Sequence, residues 1–130
     1  MIMFTNYFKI SMKIISHFLN DQQVAEIVAD DYVWQTVEDG TQVMGDIYYQ
    51  GYERLIIHEK NIHPKFFDLR TKLAGEILQK FSTYRVRLAI VGNFSKYDCN
   101  HLKEFIFESN KGKLVNFVDS VEIAKSKLST

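Results

Sequence analysis

Two short runs, "RLIIH" at Arg54–His58 and "RVRLAIV" at Arg85–Val91, constrain the fold more than any other part of the chain. Each is too short for a typical helix, rich in branched aliphatic residues and without polar alternation, as expected of strands covered on both faces. Strands of that kind need helices on the sheet, and the segment between them supplies one. In "FFDLRTKLAGEILQKF", Leu69, Leu73, Ala74, Ile77, Leu78 and Phe81 recur at helical spacing, while Arg70, Lys72, Glu76, Gln79 and Lys80 take the other side. A strand, a helix and a second strand in this order predict a parallel pair joined by a right-handed crossover.

The rest of the chain extends the same plan. Lys13–Leu19 and Val24–Ala29 read as a β-hairpin around "NDQQ". Thr36 stands three residues before Asp39 in a capping-box variant, and Val37, Val43, Met44, Ile47 and Tyr48 mark a helix that stops at Gly51. A further helix is predicted over about Asn100–Asn110 with Gly112 as its stop, then the strand "LVNFV", then a last helix opened by Asp119 with Glu122. The expected fold is a single-domain α/β structure: a mainly parallel sheet with an N-terminal β-hairpin and flanking helices, in the order β-β-α-β-α-β-α-β-α. The hairpin must contribute at least one antiparallel strand. Residues 12–130 form this domain. The first eleven residues, "MIMFTNYFKIS", carry no periodic element and are expected to be a disordered, dispensable extension from an upstream start site. They show neither a secretory leader nor a membrane-spanning run.

Composition then removes whole classes of function. A chain of 130 residues can bury one substantial core without metal or disulfide staples. Sixteen basic residues balance sixteen acidic ones, so the field that steers a protein to nucleic acid or an anionic membrane is missing, and neither is expected as a partner. A single cysteine, Cys99, has no partner for an internal disulfide, which fits a reducing, cytoplasmic compartment.

The runs "YYQGYERLIIHEKNI", "PKFFDLRTKLAGEILQKF", "YRVRLAIVGNFSKY" and "FIFESNKG" resemble a bacterial family known only as a domain of unknown function, of the DUF4180 type. More distantly, the element order resembles the STAS superfamily, the fold of anti-sigma-factor antagonists and of cytoplasmic domains of sulphate transporters. In its regulatory members a phosphorylatable Ser or Thr opens the helix after a central strand, in a pattern such as Asp-Ser-Ser-Gly-Leu. Carried over residue by residue, that resemblance implies Asp68 for the aspartate, Thr71 for a hydroxyl and Leu73 for the leucine. This sequence departs from the pattern: Leu69 and Arg70 intervene, and Lys72 stands where the pattern has glycine. A phosphate at that helix start would meet unpaired backbone N–H groups and the positive end of the dipole. The plainer reading is that Asp68 is the helix N-cap and Thr71 an ordinary residue of the first turn.

In open α/β sheets ligands gather beyond the carboxyl ends of the strands, here the loops "HEKNIHPKFFD", "GNFSKYDCN" and "DS". His58, Glu59, Asn61, His63, Ser95 and Asp98 are the candidates there for contact with a ligand or partner. His58, Glu59, His63 and Asp68 have metal-ligating chemistry but no standard metal spacing, so no metal or other cofactor is expected. Cys99, near His58, His63, His101 and Asp98 in sequence or loop space, has no base assured by spacing and reads as a small half-buried residue. "GNFSK" lacks the second glycine and the Gly-Lys-Ser/Thr ending of a phosphate loop. The group "YYQGY" with Trp34 suggests either core or an aromatic platform for self-association. Two function classes remain: a non-enzymatic regulatory or protein-interaction domain modulated at Thr71, or a small-molecule binder or enzyme using the loop cluster His58, Glu59, His63, Asp68 and Asp98.

Overall fold

The structure, a computed structural model, describes residues 12–130. The expectation for residues 1–11 lies outside the described residues. Strands β1 (Met12–Leu19) and β2 (Gln22–Ala29) pair antiparallel through all eight register positions. Their turn is tighter than "NDQQ", because only Asn20 and Asp21 lie outside the strands. Both take positive φ, 48° and 65°, a conformation Asn and Asp tolerate in two-residue hairpin turns.

The chain continues through α1 (Val37–Tyr49), β3 (Arg54–His58), α2 (Leu73–Tyr84), β4 (Arg87–Val91), α3 (Asn100–Lys111), β5 (Val115–Val118) and α4 (Val121–Leu128). The five strands lie side by side in sequence order, and every pair after the hairpin is parallel. This is the α/β architecture the sequence predicts. Ile56, Leu88, Ile90 and Phe117 are buried in the strands, with Leu73, Ile77 and Phe81 packed as the inner stripe of α2.

The helices divide unequally between the faces. One face carries the large core, where Val43, Met44 and Ile47 of α1, Ile77 and Phe81 of α2 and Leu102 of α3 meet Ile27, Leu55, Ile57, Leu88, Ile90 and Phe117. The other carries a small one, with Ala124 and Leu128 of α4 against Val24, Ile56, Ala89, Val91 and Val118. Strand β5, at the sheet edge, is not left bare. The Asn110 amide donates to the Phe117 carbonyl at 3.1 Å and accepts from its N–H at 2.7 Å, so a helix side chain imitates a sixth strand there.

Helix ends correct two expectations and complete a third. Thr36 and Asp39 form a full capping box at α1: the Thr36 hydroxyl accepts from the Asp39 N–H, and the Asp39 carboxylate accepts from the Thr36 N–H. Asp68, however, does not cap α2. The chain between β3 and α2 folds into three 3-10 turns, Glu59–Asn61, Pro64–Phe67 and Leu69–Thr71, and α2 starts only at Leu73. Phe66 and Phe67 are buried, and successive short turns let both rings enter the core. Asp68 caps the last of these turns, and Lys72 at φ 65° in the left-handed region ends it. Thr71 therefore precedes the helix instead of lying in its first turn. At α4 the cap is Ser120, whose hydroxyl accepts from the Ile123 N–H at 3.1 Å, and not Asp119.

Candidate functional site

The carboxyl ends of β3, β4 and β5 hold most of the residues singled out above, and a second carboxylate organises a seam just beneath them. The strand-end hub is Glu59, the first residue after β3. Its side chain is 11 % exposed and makes three bonds to the loop after β4: Oε1 accepts from the Asn93 N–H at 3.1 Å, and Oε2 from the Tyr97 hydroxyl at 2.5 Å and the Lys96 ammonium at 2.8 Å. Burial, and then the hydrogen bond to Glu59 and the charge behind it, push the Tyr97 hydroxyl well above the ordinary phenol range, so it stays protonated and donates. Gly92 makes room for this hub. A Cβ on it would stand 2.5 Å from both Cβ and Oε1 of Glu59.

The neighbouring candidates are each committed to a different partner. Asn61 is buried and ties two loops together: its side-chain N–H groups donate to the carbonyls of Ala29 and Asp31 at 2.9 and 3.0 Å, while its main-chain carbonyl accepts from the N–H groups of Val33 and Trp34. His63 accepts the Lys65 N–H on Nδ1 at 3.1 Å, and its ring lies 5.1 Å from that of Tyr32. The Ser95 hydroxyl donates to the Asn93 side-chain oxygen at 2.7 Å. Asp98 stands fully in solvent with Lys103 at 3.9 Å. Asp68 receives the Arg70 guanidinium at 3.0 and 2.9 Å and the Arg70 N–H at 3.1 Å, and these bonds hold its carboxyl below the usual aspartate range. The Thr71 hydroxyl lies 2.7 Å from the Lys65 carbonyl and 2.8 Å from that of Asp68, and its oxygen accepts the Leu73 N–H at 3.3 Å. It thus does at one remove what an N-cap would do.

His58 turns away from the loops. It ends β3 with Nε2 2.7 Å from Oε2 of Glu26 on β2, while His17 of β1 sets its own Nε2 2.8 Å from Oε1 of the same carboxylate. Glu26 is only 7 % exposed. Burial alone would raise its pKa, but the bonds to His58 and His17 outweigh it and hold the carboxyl below its ordinary value. An ionised carboxylate only accepts, so both Nε2 atoms carry the proton. Neither His17 nor Glu26 stands out by motif. The available signal was one glutamate inside the apolar run "VAEIVA", a charge that a strand buried on both faces must satisfy.

The candidates therefore do not converge. His58, Glu59, His63 and Asp68 have four separate sets of partners, and among the described residues no group of three or more His, Cys, Asp or Glu is placed to hold a metal ion. Cys99 is exposed rather than half-buried. Trp34 is wholly buried between Phe66 and Phe81, which removes it from any surface platform. Of the aromatic group, Tyr48 and Tyr49 remain exposed, at the opposite end of the sheet from the loops, with Tyr84 beside Tyr48. Among the described residues no helix is long and apolar enough to cross a membrane.

One concave feature does lie at the strand ends. A cleft of about 440 Å³ opens between the loop after β4 and the start of α4, lined by Gly92, Asn93, Phe94 and Ser95 on one side and by Phe117, Val118, Asp119 and Ile123 on the other.

No curated protein and no solved structure matches this sequence. A family model does, over residues 19–128, which take in both carboxylate centres and all three loops except for His17 on β1, and the chain accordingly belongs to the family described as Domain of unknown function (DUF4180).

Proposed function

We propose that this domain is a non-enzymatic regulatory module that binds a protein partner through its strand-end loops, with the turn Asp68–Thr71 as the adjustable corner of that surface. The observation that carries the reading is the way the loops spend their polar groups. Glu59 and Asn61 bond to neighbouring loops and tie them together, while His63, Asp68 and Thr71 bond within their own loop and fix its turns. A surface ordered before it meets a partner loses less entropy on binding. Arg70 projects from it almost fully exposed, and its guanidinium, now paired with Asp68, would turn or share that pairing to meet a carboxylate or phosphate on a partner.

The element order, similar to that of STAS domains, supports a regulatory role by analogy of fold. A phosphate on Thr71 would remove the hydroxyl proton now directed at the Lys65 and Asp68 carbonyls and add charge beside Arg70 and Lys72. The turn would have to rearrange, and the surface with it. The exposed Cys99, the sole cysteine of the chain, fits a reducing, cytoplasmic setting.

Cross-linking of the tagged protein in its native cells, followed by mass spectrometry, tests this reading. The expected result is a partner cross-linked to the segments 59–72 and 93–99, lost in Arg70→Glu, altered in Thr71→Glu and kept in Tyr49→Lys at the far end of the sheet. Cross-links that map elsewhere, or survive Arg70→Glu unchanged, would overturn it. Native protein free of phosphate, with Thr71→Glu behaving as wild type, would remove the switch and leave the surface.

A further inference from the structure

We infer that the cleft between the loop after β4 and the start of α4 is a binding site for a small organic cation with a flat apolar body, such as an aryl amine or amidine. This goes beyond the partner surface: the two share the loop after β4, but Val118, Asp119 and Ile123 lie outside it, and the ligand class is a different one.

The position of the cleft follows from topology. Strand β4 leads into α3, which packs with the large core through Leu102, whereas its neighbour β5 leads into α4, which packs on the opposite face through Ala124 and Leu128. Two adjacent parallel strands whose chains leave toward opposite faces open a crevice at their carboxyl ends, where open α/β sheets bind ligands. Of the joints between consecutive parallel strands, this is the one where the following helices part. The crevice volume, about 440 Å³, lies within the roughly 300–1,000 Å³ of small-molecule sites.

The lining selects the chemistry. Phe117, Val118 and the backbone of Gly92 make an apolar floor, with the Gly92 N–H already given to the Val118 carbonyl at 2.9 Å. Phe94, edge-on to Phe117 with ring centres 5.3 Å apart, and Ile123, 42 % exposed, form the side walls. An isoleucine left that open beside an aromatic pair is a wall for a flat apolar body. The Asn93 oxygen is occupied by Ser95, and Lys96 of the same loop is held by Glu59 at 2.8 Å. Asp119 at the rim makes no hydrogen bond or ion pair to the described residues. The uncompensated charge of the cleft is thus negative, set above aromatic and aliphatic surface. A cation with an apolar body matches both, through the carboxylate and through the face of Phe94.

The test is a titration of the full, isotopically labelled chain with benzamidine and phenethylamine, followed through the backbone amide resonances, with benzyl alcohol and benzoate as the neutral and anionic counterparts. The two cations should shift the amides of Gly92, Ser95, Val118 and Asp119 saturably, and bind about tenfold more tightly than benzyl alcohol. Benzoate should not bind. Asp119→Asn should bring benzamidine to the level of benzyl alcohol, and Ile123→Lys should abolish binding of both while the remaining resonances keep their positions. Equal binding of cation and alcohol by the wild type, or a preference that survives Asp119→Asn, would overturn the proposal. So would the absence of saturable shifts at about 10 mM of any probe, a ceiling beyond which affinity falls below that of ordinary fragments. A loss of stability in Asp119→Asn without a change in preference would assign Asp119 to the dipole of α4 alone. None of these outcomes bears on whether Arg70→Glu releases a protein partner.

Discussion

Glu26, in the middle of the sheet, and Glu59, just beyond its strand ends, are both carboxylates withdrawn from water, yet they are held in opposite ways. Glu26 lies inside a strand and is held by imidazoles from the strands on either side, His17 and His58. Glu59 lies just past a strand and is held by a backbone N–H, a phenol and an ammonium, all from one loop. Through His17 the first adds to the fully paired β1–β2 hairpin, and through His58 it joins strands whose backbone pairing is thin: β2 and β3 share only the pairs Ala25↔Leu55 and Glu26↔Ile56, against five pairs between β3 and β4. The second fixes a loop that has no ladder of its own. A buried charge is thus used where main-chain hydrogen bonds run short, and its partners reveal whether it closes a sheet or shapes a surface.

The sharpest way to break this comparison is to remove each hub. Glu26→Ala leaves two inward-facing imidazole donors without their acceptor and should cost about 3 kcal/mol in urea unfolding, the low end for breaking a buried charged cluster. Gly92→Ala puts a methyl group into the Glu59 side chain and should cost about 2 kcal/mol while moving the amide resonances of Asn93–Tyr97. Tyr97→Phe removes one bond of the Glu59 hub and should cost about 1 kcal/mol, with the loop otherwise in place. Asp68→Ala should leave the melting temperature almost unchanged, since the residue caps only an exposed 3-10 turn and not α2.

Acid separates the two regions further. The folded-state pKa of Glu26 lies below its ordinary value of 4.5, so its contribution to stability is fully present above that value and is lost as pH falls through the lower, folded one. Urea midpoints taken in steps below pH 4.5 should therefore fall more steeply for the wild type than for Glu26→Gln, which has no carboxyl to titrate at that position. Equal slopes would show that the His17–Glu26–His58 cluster does not couple to folding.

Much of the architecture was legible because it depends on local pattern. The apolar run at Arg54–His58, the stripe Leu73, Ile77 and Phe81, and the Thr36–Asp39 box appear in the fold as their spacing predicts, while of the run Arg85–Val91 only Arg87–Val91 forms the strand, because Arg85 at φ 56° closes α2. The start of α2 was not legible. Asp68 has the chemistry of an N-cap, but burial of Phe66 and Phe67 and the left-handed Lys72 divide the segment into turns, and that division is a matter of core packing. Likewise Asp119 has a cap's chemistry and stands one residue too early, since Ser120 is the residue whose hydroxyl reaches the Ile123 N–H.

Periodicity acts over a few residues, and over that range the sequence by itself determined the strands, the helices, their order and the parallel sheet they make. Partners across the sheet are set by register, which few local patterns encode. That His58 would leave the strand-end loops for Glu26, that Glu59 would meet Asn93, Lys96 and Tyr97 some thirty-four to thirty-eight residues away, and that α3 and α4 would part to open a cleft were decided only by the tertiary structure. The physical reason is that a polar side chain taken out of water binds the nearest group the packed fold brings to it, whatever its distance along the chain.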